Sequence, residues 1–391
     1  MPGWDALLGR LAETPRENGS AELHETAAWI AERVLASGLE PGLLPFSAHP
    51  YALRLAGVLI LVGSLAYARL AFSGRWRAAL AAGLALPALL LAELELGLPV
   101  FGWIGAEPQA HLRARLEPPA ARQTLVLAAH YDTKTDLLDH VERAPVDLLA
   151  LPMVPLLWIG AAAGALAPRF PRRRCLLRGA GRAVAVAALA YGAASFAALS
   201  AGALVPSRSP GALDDGGSCA VLIRLAEELA ARPPERTRVE LLWLSAEEVG
   251  VQGSRIYAAK RFAEAPAEPV WVVNLEGLGA SPRHAVLAGE RSALRTRRPD
   301  PGLVARLDAV HRAALGAPLA TTFYAGATDA RSFLARGIPA ATLVTHEPGT
   351  RVTRHLHSAA DSRSRLDEAA LDASLAYLAA LVRDLDREPI H

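Results

Sequence analysis

Two long stretches of the sequence contain no charged residue, and they limit what the chain can fold into. They are residues 148–167 (LLALPMVPLLWIGAAAGALA) and 183–205 (AVAVAALAYGAASFAALSAGALV). As helices, both are long enough to cross about 30 Å of hydrocarbon. We therefore expect both to be transmembrane spans.

Two further apolar stretches, 51–72 and 78–104, are expected to form another pair of spans. Arg54 and Arg69 lie near the ends of the first stretch, where long side chains can reach the membrane surface. Glu93 and Glu95 interrupt the second and need the interface or a protein partner. The alternative for this pair is a buried helical hairpin in a large soluble domain.

The connectors inside the two hairpins are short and basic. Residues 73–77 and 169–182 contain arginines and no acidic residue, and such loops normally stay in the cytoplasm. A nucleic-acid or anionic-lipid patch is the alternative explanation of this charge. The N-terminus lacks the apolar segment of a cleavable signal peptide, so export is expected to use the membrane helices.

The resulting prediction is a multi-pass membrane protein with its remaining segments outside the cytoplasm. The predicted division is an N-terminal helix of the catalytic domain (1–50), hairpin 1 (51–104), the first strands (105–147), hairpin 2 (148–205) and the rest of the catalytic domain (206–391).

The net charge and the cysteine content point to no particular function. The 391 residues include 41 basic and 39 acidic side chains, which gives no field that would attract nucleic acid, and no nucleic-acid partner is expected. Two cysteines are too few for a disulfide framework, and neither has metal-site spacing. The oligomeric state is left open.

Outside the hairpins, short apolar strands alternate with amphipathic helices. Residues 20–37 are predicted to form a helix with Ser20 as its N-cap, and SCAVLIRLAEELAAR a second helix. The predicted strands are QTLVLAAHYD, TRVELLWLSA, PVWVVNLEG and PAATLVTH. This pattern predicts an α/β fold of three layers, with a mixed, mostly parallel sheet between helices.

Polar side chains collect where the predicted strands end, which is where such sheets bind ligands. Each alone could be an ordinary turn, cap or loop residue. Together they resemble a site for two divalent cations, because carboxylates can bridge metals and imidazoles suit zinc. The residues are His130, Asp132, Asp214, Asp215, Glu247, Glu248, Glu276, His355, His357 and Asp361.

Glu247 and Glu248 are adjacent, although successive strand residues point to opposite faces. Both can face one site only if the strand has ended and the chain is turning, as the following Val249-Gly250 indicates. A metal site also needs one carboxylate that is left over as a general base.

Six ordered motifs resemble peptidase family M28, the aminopeptidase-type zinc metallopeptidases. They are AAHYDT, GALDDGGS, LSAEEVGVQGS, VVNLEGLG, TDARSFLARGIPAATL and HSAADS. With TPRENGS and the helix after it, which resemble the family's opening segment, they span nearly all of the chain outside the hairpins.

The resemblance implies specific roles. One zinc would be held by His130, Asp214 and Glu276, and the other by Asp214, Glu248 and His357, with Asp214 bridging. Glu247 would be the general base, and Asp132 would orient His130. Two Zn²⁺ are expected per chain, with manganese and cobalt as alternatives.

The sequence departs from the family pattern in three places. Glu276 stands where aspartate is more common. Leu356 replaces a tyrosine that often precedes the last histidine, which leaves the oxyanion role to Tyr324, His355 or a metal. The segment between His130 and Asp214 is far longer than usual, and hairpin 2 accounts for its length.

The expected activity is that of a membrane-bound exopeptidase, in particular an aminopeptidase acting on peptides. A glutaminyl cyclase is the alternative enzyme, since these enzymes share the fold but use a single zinc. A receptor without catalytic activity is the third possibility, and the intact Glu247 argues against it.

Overall fold

A computed structural model describes residues 3–98, 100, 104–292, 294–323, 326–347 and 353–390. The chain forms two compact units. The sheet unit comprises Met1–Pro50, Ala106–Thr135 and Ser207–His391, and the helix unit comprises Tyr51–Gly105 and Asp136–Pro206.

The described residues form ten strands and eleven α-helices. The strands are β1 (Gly42–Ala48), β2 (Glu107–Leu116), β3 (Gln123–His130), β4 (Thr237–Leu244), β5 (Val270–Glu276), β6 (His284–Leu287), β7 (Glu290–Arg291), β8 (Thr296–Arg297), β9 (Ala320–Thr322) and β10 (Ala340–Thr345). The helices are α1 (Asp5–Leu11), α2 (Ala21–Ala36), α3 (Ala52–Phe72), α4 (Trp76–Leu94), α5 (His140–Leu166), α6 (Arg174–Leu199), α7 (Gly217–Ala231), α8 (Gln252–Arg261), α9 (Pro301–Leu315), α10 (Ala330–Leu334) and α11 (Glu368–Arg387).

The sheet unit is built on eight strands in the order β1-β2-β4-β3-β5-β10-β6-β9. Its centre, β4-β3-β5-β10, is parallel, whereas β1 with β2, β2 with β4, and β10 with β6 are antiparallel. The four predicted strands are these four parallel strands. The prediction of a mixed, mostly parallel sheet is thus confirmed.

Helices cover both faces of this sheet. Along β3, Leu125, Leu127 and Ala129 pack into one core with α1, α2, α7, α9 and α11. Val126 and Ala128 face the opposite core, which contains residues of α8 and α10. Because β3 is buried on both faces, its sequence is almost continuously apolar.

The predicted N-terminal helix is confirmed as α2. The Ser20 hydroxyl accepts a hydrogen bond from the Leu23 N–H at 3.2 Å, which satisfies one of the free donors of the first turn. The second predicted helix is α7.

The helix unit consists mainly of α3 to α6. Four helical segments in it are long and apolar enough to cross a membrane by length and composition: 52–72, 76–94, 140–169 and 171–199. The helix expected over 78–104 ends earlier, at Leu94, and the Glu93 carboxylate accepts a hydrogen bond from the Val100 N–H. The helix expected from 148 begins at His140, because Asp139 and Glu142 form a capping box.

Candidate metal centre

Three of the parallel strands end at the same edge of the sheet and present polar groups there. His130 is the last residue of β3 and pairs with Leu244 at the end of β4, so the turn that bears Glu247 and Glu248 begins beside it. Glu276 is the last residue of β5. The carboxyl edge therefore brings these side chains together, as the strand order requires.

Two neighbouring groups of donor atoms form among the described residues at this edge. His130, Asp215 and Glu276 form one group and Asp214, Glu248 and His357 the other, with the ligand atoms of each group within 4.8 Å of one another. All five predicted metal ligands are present. Asp215 joins them, although the family resemblance gave it no ligand role.

The Asp214 carboxylate lies between the two groups. Its Oδ1 is 3.1 Å from His130 Nε2, and its Oδ2 is 3.0 Å from His357 Nε2. His130 Nε2 is also 3.5 Å from Glu276 Oε1, and His357 Nε2 is 3.1 Å from Glu248 Oε2. One carboxylate thus faces both imidazoles with different oxygens, which is the arrangement a bridging ligand needs.

The charges at this site are unbalanced. Burial raises the pKa of Asp215 well above its usual value, and the Glu276 carboxylate raises it further. Burial also raises the pKa of Glu276. For Asp214, burial opposes ionisation, but the neighbouring His130 and His357 imidazoles lower its pKa well below the usual value. Divalent cations would supply the missing positive charge.

Three candidate metal-ligand atoms at the centre are buried and have no hydrogen-bond partner among the described residues. They are His130 Nε2, Asp215 Oδ2 and Glu248 Oε1. His130 Nδ1 lies 3.1 Å from the Asp132 carbonyl oxygen, which leaves Nε2 as the ring nitrogen facing the carboxylates. Buried polar atoms without partners are costly, so this donor set fits zinc.

The Asp132 side chain organises the turn that follows β4. Its Oδ1 accepts a hydrogen bond from the Glu247 N–H at 3.2 Å, and its Oδ2 accepts one from the Glu248 N–H at 3.0 Å. Asn18 Nδ2 donates to Oδ2 at 2.7 Å, and the nearest carboxylate oxygen is 3.6 Å from His130 Nδ1. Asp132 therefore positions both glutamates in addition to lying beside His130.

The two adjacent glutamates of this turn differ in burial. Glu248 is buried among the ligand atoms, whereas Glu247 is partly exposed. Ala246 and Val251, on either side of the turn, have φ of 65° and 49°, which non-glycine residues rarely adopt. Strained backbone of this kind collects at functional sites. Desolvation raises the pKa of Glu247 well above its usual value.

The segment that bears Asp214 is held by Asp361. The Asp361 carboxylate accepts hydrogen bonds from the N–H groups of Leu213 and Asp214, at 2.8 and 3.2 Å. Burial, reinforced by the Asp214 charge, raises the pKa of Asp361 to about 7. Gly211 begins the segment at φ 62°, and a Cβ there would lie 2.3 Å from Thr133. Glycine is thus required by both conformation and space.

Arg16 joins the two ligand-bearing segments from the N-terminal side, a role the sequence did not indicate. The side chain is fully buried. Its guanidinium donates hydrogen bonds of 2.7 to 3.2 Å to the main-chain carbonyls of Leu11, Thr14, Tyr131, Pro210 and Gly211. Tyr131 separates His130 from Asp132, and Gly211 begins the Asp214 segment. Arg16 therefore fixes both segments in one arrangement.

Of the two residues proposed for the oxyanion role, the structure describes His355 but not Tyr324. His355 is exposed, whereas Leu356 packs into the core and His357 is buried. His355 and His357 both have φ of 62°, so the chain turns sharply on either side of Leu356.

Asp329 is a further carboxylate that sequence reasoning did not single out. It is fully buried, and neither of its carboxylate oxygens has a hydrogen-bond partner among the described residues. Burial raises its pKa to about 7. Its place within the motif TDARSFLARGIPAATL was the one available signal.

The fold and the donor set define the class of this protein: a three-layer α/β fold with a candidate zinc site at its sheet edge. The model of peptidase family M28 matches residues 196–382, so this segment of the chain is similar to that family. The match includes Asp214, Glu247, Glu248, Glu276 and His357, whereas His130 precedes it.

Solved structures share the fold at low identity. The Legionella pneumophila LapA aminopeptidase is 14% identical with a TM-score of 0.53, and the alignment covers 98% of this chain and 71% of that one. A Zn-dependent exopeptidase from Parabacteroides distasonis is 12% identical, with a TM-score of 0.55 and coverage of 97% and 96%. A glutaminyl cyclase from Porphyromonas gingivalis is 15% identical, with a TM-score of 0.54 and coverage of 98% and 96%. No curated protein shows significant similarity.

Proposed function

We propose that this protein is a membrane-embedded aminopeptidase that uses two zinc ions to release N-terminal residues from peptides. The observation that supports this most is the position of Asp214, whose two oxygens face His130 and His357 at 3.1 and 3.0 Å. Each histidine has a further carboxylate beside it, Glu276 at His130 and Glu248 at His357, so Asp214 lies between two groups of candidate ligands. A zinc-dependent exopeptidase among the structures with this fold supports the choice of metal.

The ligands of the two ions follow from these groups. His130, Asp214 and Glu276 would hold one ion, with Asp215 close by, and Asp214, Glu248 and His357 would hold the other. When bound, zinc supplies a Lewis acid that lowers the pKa of water and polarises a carbonyl.

Glu247 is the residue that we assign to proton transfer. Its carboxylate is partly exposed, while the neighbouring Glu248 is buried as a ligand. As a general base, Glu247 would take a proton from the attacking water and then give it to the amine that leaves. Asp132 keeps the carboxylate in position through the Glu247 N–H.

The membrane part of the proposal rests on the four long apolar helical segments and the basic connectors. Loops 73–77 and 169–182 would lie in the cytoplasm, and the sheet unit on the outer side. A reporter fused near Arg173 should behave as cytoplasmic. An external signal at this position would reverse the topology.

Glutaminyl cyclases share this fold, so the fold does not separate the two enzyme classes. The decisive experiment measures zinc content and products on one purified sample, using aminoacyl, dipeptidyl and N-terminal glutaminyl substrates. Two zinc ions and free amino acids would support the aminopeptidase. One zinc ion and pyroglutamate would support the cyclase instead.

A further inference from the structure

The two basic connectors, which are far apart in the sequence, meet at one end of the helix unit. The Trp76 ring lies against Gly164 and Gly181, where an added Cβ would be 2.1 and 2.8 Å from ring atoms. The Arg182 guanidinium carbon lies 6.0 Å from the centre of the Phe72 ring. Residues 72–77 and 167–182 therefore form one surface, which we call the basic end.

The basic end concentrates positive charge together with exposed apolar side chains. It has eight arginines and no acidic residue, and none of the eight forms an ion pair with a described residue. Phe72, Phe170 and Leu176 are 47, 51 and 71% exposed among them. Apolar side chains next to guanidinium groups suit the boundary between hydrocarbon and headgroups. The arginines are Arg75, Arg77, Arg169, Arg172, Arg173, Arg174, Arg178 and Arg182.

Two buried N–H donors at the basic end have no acceptor. Trp76 Nε1 and Arg178 Nε are both buried and have no hydrogen-bond partner among the described residues. A buried donor without a partner is costly. Trp76 is covered by the packed helices, whereas Arg178 is half-buried, so an anionic oxygen at the surface would pair with the Arg178 guanidinium and balance the charge around it.

We propose that the basic end binds the phosphate groups of anionic phospholipids, with the half-buried Arg178 as a donor and the exposed arginines as the surrounding charge. The inference rests on the proposed insertion of the helix unit in a membrane, and it does not depend on peptidase activity. A lipid fits better than a nucleic acid, because the exposed Phe170 and Leu176 need hydrocarbon and four helical segments of membrane-spanning length adjoin the surface.

The test uses the full chain in nanodiscs of phosphatidylcholine, with and without phosphatidylglycerol. We expect bound phosphatidylglycerol to be enriched over its bulk fraction, as measured by mass spectrometry of retained lipid. Arg178→Gln should weaken its binding by about fivefold, which corresponds to about 1 kcal/mol per arginine. Arg54→Gln, the same change of charge at the opposite end of the helix unit, should have no effect.

A second variant keeps the test informative if Arg178→Gln does not fold. Arg172 and Arg173 are exposed, so replacing both with glutamine should weaken phosphatidylglycerol binding without changing thermal stability in pure phosphatidylcholine. Equal retention of both lipids by the wild type would overturn this inference alone. The inference would also be overturned if inorganic phosphate or an RNA oligomer raised the thermal stability of the chain as much as phosphatidylglycerol does. Failure to enter phosphatidylcholine nanodiscs would overturn the membrane proposal as well.

Discussion

Replacing Asp132 with asparagine tests how the catalytic turn is positioned. The substitution keeps the shape of the side chain but converts one oxygen into an NH₂ group. If the NH₂ replaces Oδ2, the hydrogen bonds from Asn18 and from the Glu248 N–H are both lost. If it replaces Oδ1, only the 3.2 Å bond from the Glu247 N–H is lost. The second orientation should therefore prevail.

The expected losses of stability and of kcat follow from this second orientation of the amide group. Losing one hydrogen bond to a buried carboxylate, with two N–H groups left facing each other, should lower the free energy of unfolding by about 2 kcal/mol. The turn loosens at Glu247, so kcat should fall by about 10- to 100-fold. His130 keeps the Asp132 carbonyl as its acceptor, so zinc content should fall less than kcat.

The measurements are denaturant unfolding, zinc content and steady-state hydrolysis of an aminoacyl substrate by the purified chain. Asp308→Asn is the matched control, because Asp308 pairs with Arg312 on the surface and should leave kcat unchanged. A kcat within a factor of about two of the wild type in Asp132→Asn would refute the positioning role.

Further variants and conditions test the other assignments. Glu247→Gln should retain zinc yet lower kcat by about 10²- to 10⁴-fold, whereas Glu248→Ala should lose zinc. Arg16→Gln leaves buried carbonyls without donors and should lower the free energy of unfolding by at least about 3 kcal/mol. Burial lowers the pKa of His111 and of His284 from 6.5 to about 3. At these two sites the unfolded chain takes up protons first as pH falls below 6.5, so each histidine should contribute a loss of stability towards pH 3. Asp329 and Asp361, whose pKa is raised to about 7, act in the opposite direction, so the loss is measured as the difference in pH dependence between the wild type and His284→Gln.

Each of these predictions has a measurable result that would contradict it. Near wild-type turnover in Glu247→Gln would remove it as the base, and full zinc content in Glu248→Ala would remove it as a ligand. An unfolding midpoint equal to the wild type in Arg16→Gln would make its five hydrogen bonds irrelevant. An identical pH dependence of stability between pH 6.5 and 5 in the wild type and in His284→Gln would show that His284 is not buried in its neutral form.

The central strands could be predicted from the sequence because they are buried on both faces. A strand such as β3 then has a continuous apolar sequence that ends abruptly at His130. The edge strands β1 and β9 and the short strand β6 beside β9 were not predicted, since a strand with partial burial or of three or four residues lacks such a signal. The start of α5 was placed too late, because its first turns are polar and depend on a cap rather than on apolar residues.

The sequence by itself determined which residue types end the parallel strands. Adjacent glutamates after β4, and a histidine at the end of β3, follow from the order of residues and from strand topology. Tertiary structure alone decided which atoms meet. Asp215 joins the donor groups, Arg16 links two distant ligand segments, and Asp132 holds the glutamate turn. Such contacts depend on side chains converging from positions far apart in the chain, and no local pattern encodes that distance.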